Sequence, residues 1–237
     1  AGIYHPGAGK NLSVARTPAM IETPAGTVAF LAASEITPAQ GAGSDKPGTY
    51  YTNSPNKGLI SDVTEAAKQA DFVIVSLHWG SEYTHKPSSH QITLAHKLVD
   101  AGADLILGHH PHVIQALELY KDRLIAYSLG DFVLDWRSAY CGEAFVLQVT
   151  MPQDGPPSAT IVPVYLSKTT GVPAVVTDDM ATKILDRLTR LSADRGLELT
   201  RKGFTATIGD PPAVFGSPAS TPGADSASAA TTTTITP

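Results

Sequence analysis

The sequence predicts an α/β fold with a mixed sheet, and three observations carry that reading. Apolar strand-like runs alternate with helix-spaced segments through the first half, strand-like segments crowd the region after residue 104, and one amphipathic helix closes the ordered part. Residues 27–32 read as a buried strand, as do residues 72–77, where Phe-Val-Ile-Val-Ser-Leu is nearly continuous β-branched or large apolar. Ser61 is expected to cap a helix through about residue 70, with Asp62 and Glu65 near its positive end. Ser88 opens a second helix, and Gln91 three residues later completes a capping box. Ile92, Ala95 and Val99 then recur at helical spacing, and Gly102 suits the residue just past the helix end. A strand over 104–107 follows at once. Segments 113–120, 124–129, 144–151 and 159–166 read as an antiparallel run with polar turns such as Lys121-Asp122. The last helix, about 178–194, carries Met180, Ile184, Leu188 and Leu191 on one stripe.

Residues 1–209 form the expected ordered domain, and 210–237, mostly Pro, Ala, Ser, Thr and Gly, are expected to lack fixed structure because they bury too little apolar surface to offset backbone entropy. Of the 237 residues, 42% are hydrophobic and 16% charged, which describes a globular chain with a real core. The net charge is −5 and no basic cluster is present, so a nucleic-acid partner is not expected. No apolar run reaches bilayer length, and no charged start followed by an apolar stretch marks a leader. The single cysteine, Cys141, excludes an intramolecular disulfide and reads as a buried apolar thiol.

Chemistry concentrates where strands end. Strand 72–77 runs into His78-Trp79-Gly80-Ser81-Glu82, and strand 104–107 into Gly108-His109-His110-Pro111-His112. Sites in open α/β sheets lie outside the carboxyl ends of strands, where both clusters fall. His110-Pro111-His112, if extended, sets both imidazoles on one side of the chain, with Pro111 biasing His110 toward extended geometry. Gly108 is expected to allow a tight turn beneath them. With His78 from the neighbouring strand, three imidazole nitrogens would converge on one divalent metal. His5, His85, His90 and His96 read as ordinary surface or hydrogen-bonded residues.

Val75-Ser76-Leu77-His78-Trp79-Gly80-Ser81-Glu82-Tyr83, Gln91, Asp100-Ala101-Gly102-Ala103-Asp104, the Gly108 to Gln115 stretch and Tyr127-Ser128-Leu129-Gly130-Asp131-Phe132-Val133 together resemble the bacterial capsule-synthesis CapA family, also called the poly-γ-glutamate biosynthesis family. The opening Ala1-Gly2-Ile3, with Gly7-Ala8-Gly9 and Ala15-Arg16, extends the resemblance to roughly residues 1–166. It implies a metallophosphoesterase-like α/β/β/α sandwich with mixed sheets, here lacking its N-terminal strands, and a phosphoester hydrolase using two divalent metals (Mn, Zn, Fe or Mg). It implies His78, His110 and His112 as metal ligands, Glu82 as a catalytic group that orients a ligand imidazole or the attacking water, and Gln91 and Asp131 as substrate contacts, Asp131 standing where the family commonly has Asn. His109 lies where the family varies, and its expected catalytic role, as an acid for the leaving group, is read from its place beside the ligands. The family also draws ligands from an early Gly-Asp-x-Met strand and an Asn-Asn-His turn. No His here follows an Asn, and the Gly-Asp pairs at 130–131 and 209–210 lie in other contexts. The rest of the site is therefore expected from a missing N-terminal segment or a partner chain, leaving this chain alone inactive. The resemblance implies an envelope-associated setting and a capsule-synthesis complex as partner; the rival expectation is a non-catalytic component of a polymer synthesis or export assembly with a structural or vestigial metal site.

Overall fold

The computed structural model describes residues 2–134, 141–167, 169–212 and 234–235. The chain opens with β1 (Ala8–Gly9), a short helix α1 (Leu12–Arg16) capped by the Asn11 side chain, β2 (Ala19–Thr23), β3 (Gly26–Ser34) and β4 (Gly48–Thr49). Then come α2 (Lys57–Ala66), β5 (Phe72–His78), α3 (Ser89–Asp100), β6 (Leu105–His109) and the hairpin β7 (Leu117–Tyr120) and β8 (Arg123–Ala126). The second half holds β9 (Glu143–Thr150), β10 (Ser158–Leu166), β11 (Pro173–Val175), α4 (Asp179–Ala193), β12 (Thr200–Lys202), β13 (Thr205–Ile208) and β14 (Thr234–Ile235).

Two six-stranded sheets form from these strands. The first runs β2-β3-β5-β6-β8-β7 and is mixed, with β3, β5, β6 and β8 parallel and an antiparallel strand at each edge. The second runs β12-β13-β10-β9-β14 with β11 also on β10, and every pairing in it is antiparallel. The α/β class is as expected. The expected single antiparallel run is instead split, because β7 and β8 finish the first sheet while β9 and β10 begin the second. Alternation in sequence shows that a segment is a strand; it carries no record of which sheet receives it.

Strand β5 shows why the first sheet is buried on both faces. Val73, Val75 and Leu77 join α2 and α3 residues such as Leu59, Val63, Leu94 and Leu98 in one core, while Phe72 and Ile74 turn to the other side. There they meet Phe145, Leu147 and Val149 of β9, together with Ile184, Leu185 and Leu188 of α4. Helix α4 thus shares the inner face of the second sheet with the first sheet, contacting β7, β10 and β13.

The capping box at Ser88 and Gln91 is present, and Gly102 follows α3 with a φ of 112°. Helix α2 starts earlier than expected, at Lys57, so Ser61 lies inside it. Asn56 sets that start: its backbone is left-handed, and its buried side chain bonds Thr52 and Glu35, aiming the chain so that Leu59 and Val63 reach the core. The expectation of no fixed structure over 210–237 falls mainly on 213–233 and 236–237, outside the described residues; within that span, Thr234 and Ile235 pair with Thr150 and Val149.

Candidate metal centre

Parallel register brings the site together. Ser34, His78 and His109 are successive neighbours across the ends of β3, β5 and β6, which form one carboxyl rim. The loops beyond the rim are then tied to one another. Trp79 N donates to the His109 carbonyl at 3.0 Å, and Tyr83 N donates to the Pro111 carbonyl at 2.8 Å. The Trp79 indole is fully buried and donates to the Tyr127 carbonyl at 3.0 Å, so the loop after β5 is anchored by its largest side chain. Gly108, expected to allow a tight turn, is instead a residue of strand β6 under close approach. A Cβ there would sit 2.0 Å from the Tyr127 carbonyl oxygen and 2.6 Å from the indole nitrogen.

The His-Pro-His segment is not extended either. His110 and His112 have φ values of 99° and 58°. Left-handed backbone at non-glycine residues is held only where surrounding structure over-determines it; here the ties from Trp79 to the His109 carbonyl and from Tyr83 to the Pro111 carbonyl hold the chain on either side of His110. The rings nevertheless converge: His78 and His110 have centroids 4.8 Å apart, and His110 and His112 are 5.8 Å apart.

Ligand atoms of Glu82, His110 and His112 all lie within 4.8 Å of one another. Two ligand atoms on a tetrahedral zinc ion are separated by roughly 3.3 Å, so these side chains would have to move inward to close the set. The His112 Nδ1 is 2.9 Å from Asp131 Oδ1, and the other carboxylate oxygen, Asp131 Oδ2, is buried with no hydrogen-bond partner among the described residues. An acidic group behind a ring nitrogen fixes Nδ1 as the donor and leaves Nε2 with a lone pair for metal. The donor set and the unpartnered carboxylate oxygen both suit a divalent cation. Electrostatics agree. Partial burial pushes His78 down to about 4, with His110, His109 and His112 adding to the shift. Burial also lowers His110, reinforced by His112 and opposed by Glu82, and burial alone lowers His109. Neutral imidazoles are the form that ligates metal.

His78, His109, His110, His112 and Asp131 line one cavity of about 510 Å³ between the rim and β9. His78 stands against His110 but outside the Glu82, His110 and His112 group. Gln91, expected to touch substrate, is buried away from it: its Oε1 accepts from Ser88 N and its Nε2 donates to Gln115. That amide completes a helix cap and packs under Gly80, which removes it from solvent. Asp131, also expected at substrate, bonds His112 instead. His85, His90 and His96 have ordinary partners in the Ile114 carbonyl, Glu35 and Glu118. The apolar wall of the cavity, from Phe132 and β9, was not foreseen; no local sequence pattern places β9 opposite the histidines.

This geometry defines a class: a two-sheet α/β protein with a histidine-carboxylate candidate metal centre on the carboxyl rim of its parallel strands. The family described as bacterial capsule synthesis protein PGA_cap matches residues 1–136, and the chain belongs to that family. It is 40% identical over 136 residues to the capsule biosynthesis protein CapA of Bacillus anthracis, covering 56% of this chain and 32% of that protein. It is 37% identical over 129 residues to the PGA biosynthesis protein CapA of Bacillus subtilis (strain 168), covering 54% and 34%. A probable polyglutamine synthesis accessory protein of Mycobacterium tuberculosis is 31% identical over 173 residues, covering 65% and 45%. The match thus spans about a third of the length of the two CapA relatives. Among solved structures, a novel phosphatase from Mycoplasma pneumoniae aligns at a TM-score of 0.37 and 12% identity over 68% of this chain and 55% of that one, too distant to bear on activity.

Proposed function

We propose that this chain carries part of a divalent-metal centre for phosphoester hydrolysis, in a protein of capsule or poly-γ-glutamate synthesis. The observation that carries it is the Asp131–His112 pair beside Glu82 and His110, a ligand set with its orienting carboxylate in place. His110 and His112 would hold the ion through ring nitrogens and Glu82 through a carboxylate oxygen, with His78 the next nitrogen in reach. A divalent ion bound there supplies Lewis-acid activation of a phosphoryl oxygen and of water. Asp131 keeps the His112 ring oriented throughout. His109 lines the same cavity, which supports assigning it the proton exchange with the leaving oxygen. Further ligands are proposed to come from outside this sequence, consistent with the fraction of the relatives that it matches.

Zinc titration followed by histidine side-chain NMR tests the centre directly. His110 and His112 resonances are expected to shift saturably, and His112→Ala to abolish the response. A response unchanged in both His110→Ala and His112→Ala would sink the reading. For activity, a longer protein including preceding residues is expected to hydrolyse a generic phosphodiester with manganese while this chain shows negligible turnover. A longer protein that binds metal and turns nothing over would move the assignment to a non-catalytic component.

A further inference from the structure

The cavity beside the histidines has two unlike halves. One holds His78, His109, His110, His112 and Asp131; the other is built from Leu129, Phe132, Val133, Phe145, Val146 and Leu147. Phe132 is 53% exposed and Val133 75% exposed, so large apolar side chains stand at the mouth rather than in a core. A volume of about 510 Å³ lies within the range of small-molecule sites, roughly 300–1,000 Å³. We propose that the site takes a soluble phosphoester whose organic group is apolar and of moderate size, the phosphoryl end against the histidines and the organic group against Phe132 and β9. This rests on the metal reading above, because the histidine half needs a cation to hold an anion beside Asp131.

The physical argument is a matching of surfaces. An all-polar, polyanionic chain would have to leave carboxylates facing Phe145, Val146 and Leu147, where nothing compensates their lost hydration. An apolar group against the same wall is driven there by the area that it removes from water. The histidine end then sets orientation, as the few polar groups of an otherwise apolar site do. Specificity would therefore be read mainly from β9 and the Phe132 loop, and chemistry from the rim.

Calorimetry on the full 237-residue chain tests this in two stages. Zinc alone is titrated first, which judges the metal reading independently. Zinc-saturated protein is then titrated with inorganic phosphate and with ethyl, butyl and hexyl phosphate. Affinity is expected to tighten roughly three- to fourfold for each methylene buried, until the cavity is filled. Phe132→Ser and Val146→Thr, both outside the histidine cluster, are expected to flatten that dependence while leaving zinc and inorganic phosphate binding unchanged. Zinc binding with no dependence on chain length would overturn the inference and leave the metal centre standing. Hexanol binding as tightly as hexyl phosphate would overturn the two-ended ligand, since the phosphoryl end would then contribute nothing. Tighter binding of a γ-linked glutamate oligomer would replace the apolar ligand with a polar one. Binding to vesicles containing phosphatidic acid, but not to hexyl phosphate, would place the ligand in a bilayer and overturn its soluble character. Failure of zinc to bind would defeat the metal reading and this inference together, at the first stage.

Discussion

The Asp131 carboxylate faces two ways, one oxygen on His112 Nδ1 and the other buried without a partner among the described residues. Its effect on metal would act through the imidazole, by fixing which nitrogen carries the proton. Asp131→Asn is expected to weaken zinc binding by about 10- to 100-fold, the usual cost of losing such a partner. The same variant should change the His112 tautomer seen in ring-nitrogen NMR. An unchanged tautomer with unchanged affinity would show that Asp131 does not position the ring. Gly108 is a different kind of residue-scale constraint. Alanine there would drive a methyl into the Tyr127 carbonyl, a backbone atom that cannot swing aside. Gly108→Ala is expected to destabilise the fold by about 3 kcal/mol, measured by urea unfolding; a loss within error would show that β6 and residue 127 separate freely.

At the scale of elements, α4 is fastened to both sheets by charge as well as by its apolar stripe. Arg195, just beyond the helix, donates to Glu118 of β7 at 2.8 Å, and Arg187 donates to Glu143 of β9 at 2.8 Å. Ser192 Oγ accepts from Leu117 N at 3.0 Å, satisfying an edge-strand donor. Burial works to raise the Glu118 pKa, but hydrogen bonds from Arg195, Tyr127 and His96 outweigh it and hold the group below its ordinary 4.5. Glu143 is likewise lowered, by Lys183 and Arg187 against burial. A carboxylate depressed in the folded state releases its proton more readily there than in the unfolded chain. Its stabilisation is therefore complete above pH 4.5 and is lost as pH falls through the folded-state pKa. Acid should thus loosen α4 from the sheets. Glu118→Gln is expected to lower stability at neutral pH and to flatten the acid limb, with the two proteins converging at low pH. Parallel acid limbs would assign the loss to other carboxylates.

Over the whole molecule, the candidate centre joins the loop after β5 to the loop after β6, on elements 31 residues apart that also hydrogen-bond through Val73 and Asp104. An unfolded chain does not hold Glu82, His110 and His112 within ligand reach, so metal should bind the native state preferentially. Zinc at about 100 times its dissociation constant is expected to raise the unfolding free energy by roughly 2.7 kcal/mol. Thermal unfolding with and without zinc checks this, and an unchanged midpoint at saturation would mean that the site does not depend on the fold.

Much of the first sheet and most of the histidine cluster were legible in the sequence alone. Strand β5 announces itself by a nearly continuous apolar run, α3 by Ser88 and Gln91, and the rim by histidines placed at and just past the ends of two strands. Such signals are local: periodicity, a cap and a strand end each occupy a few neighbouring residues. Family membership was readable for the same reason, since paired motifs survive as strings. Only the tertiary structure decided that β7 and β9 belong to different sheets, that His110 and His112 turn through left-handed backbone, and that Gln91 is sealed beneath Gly80. It alone set Asp131 behind His112 and brought β9 across from the histidines as an apolar wall. Each of these depends on what lies on the far side of a packed interface, and the residues that meet there are tens of positions apart. Sequence pattern determines which face of an element is apolar; packing determines which other face covers it.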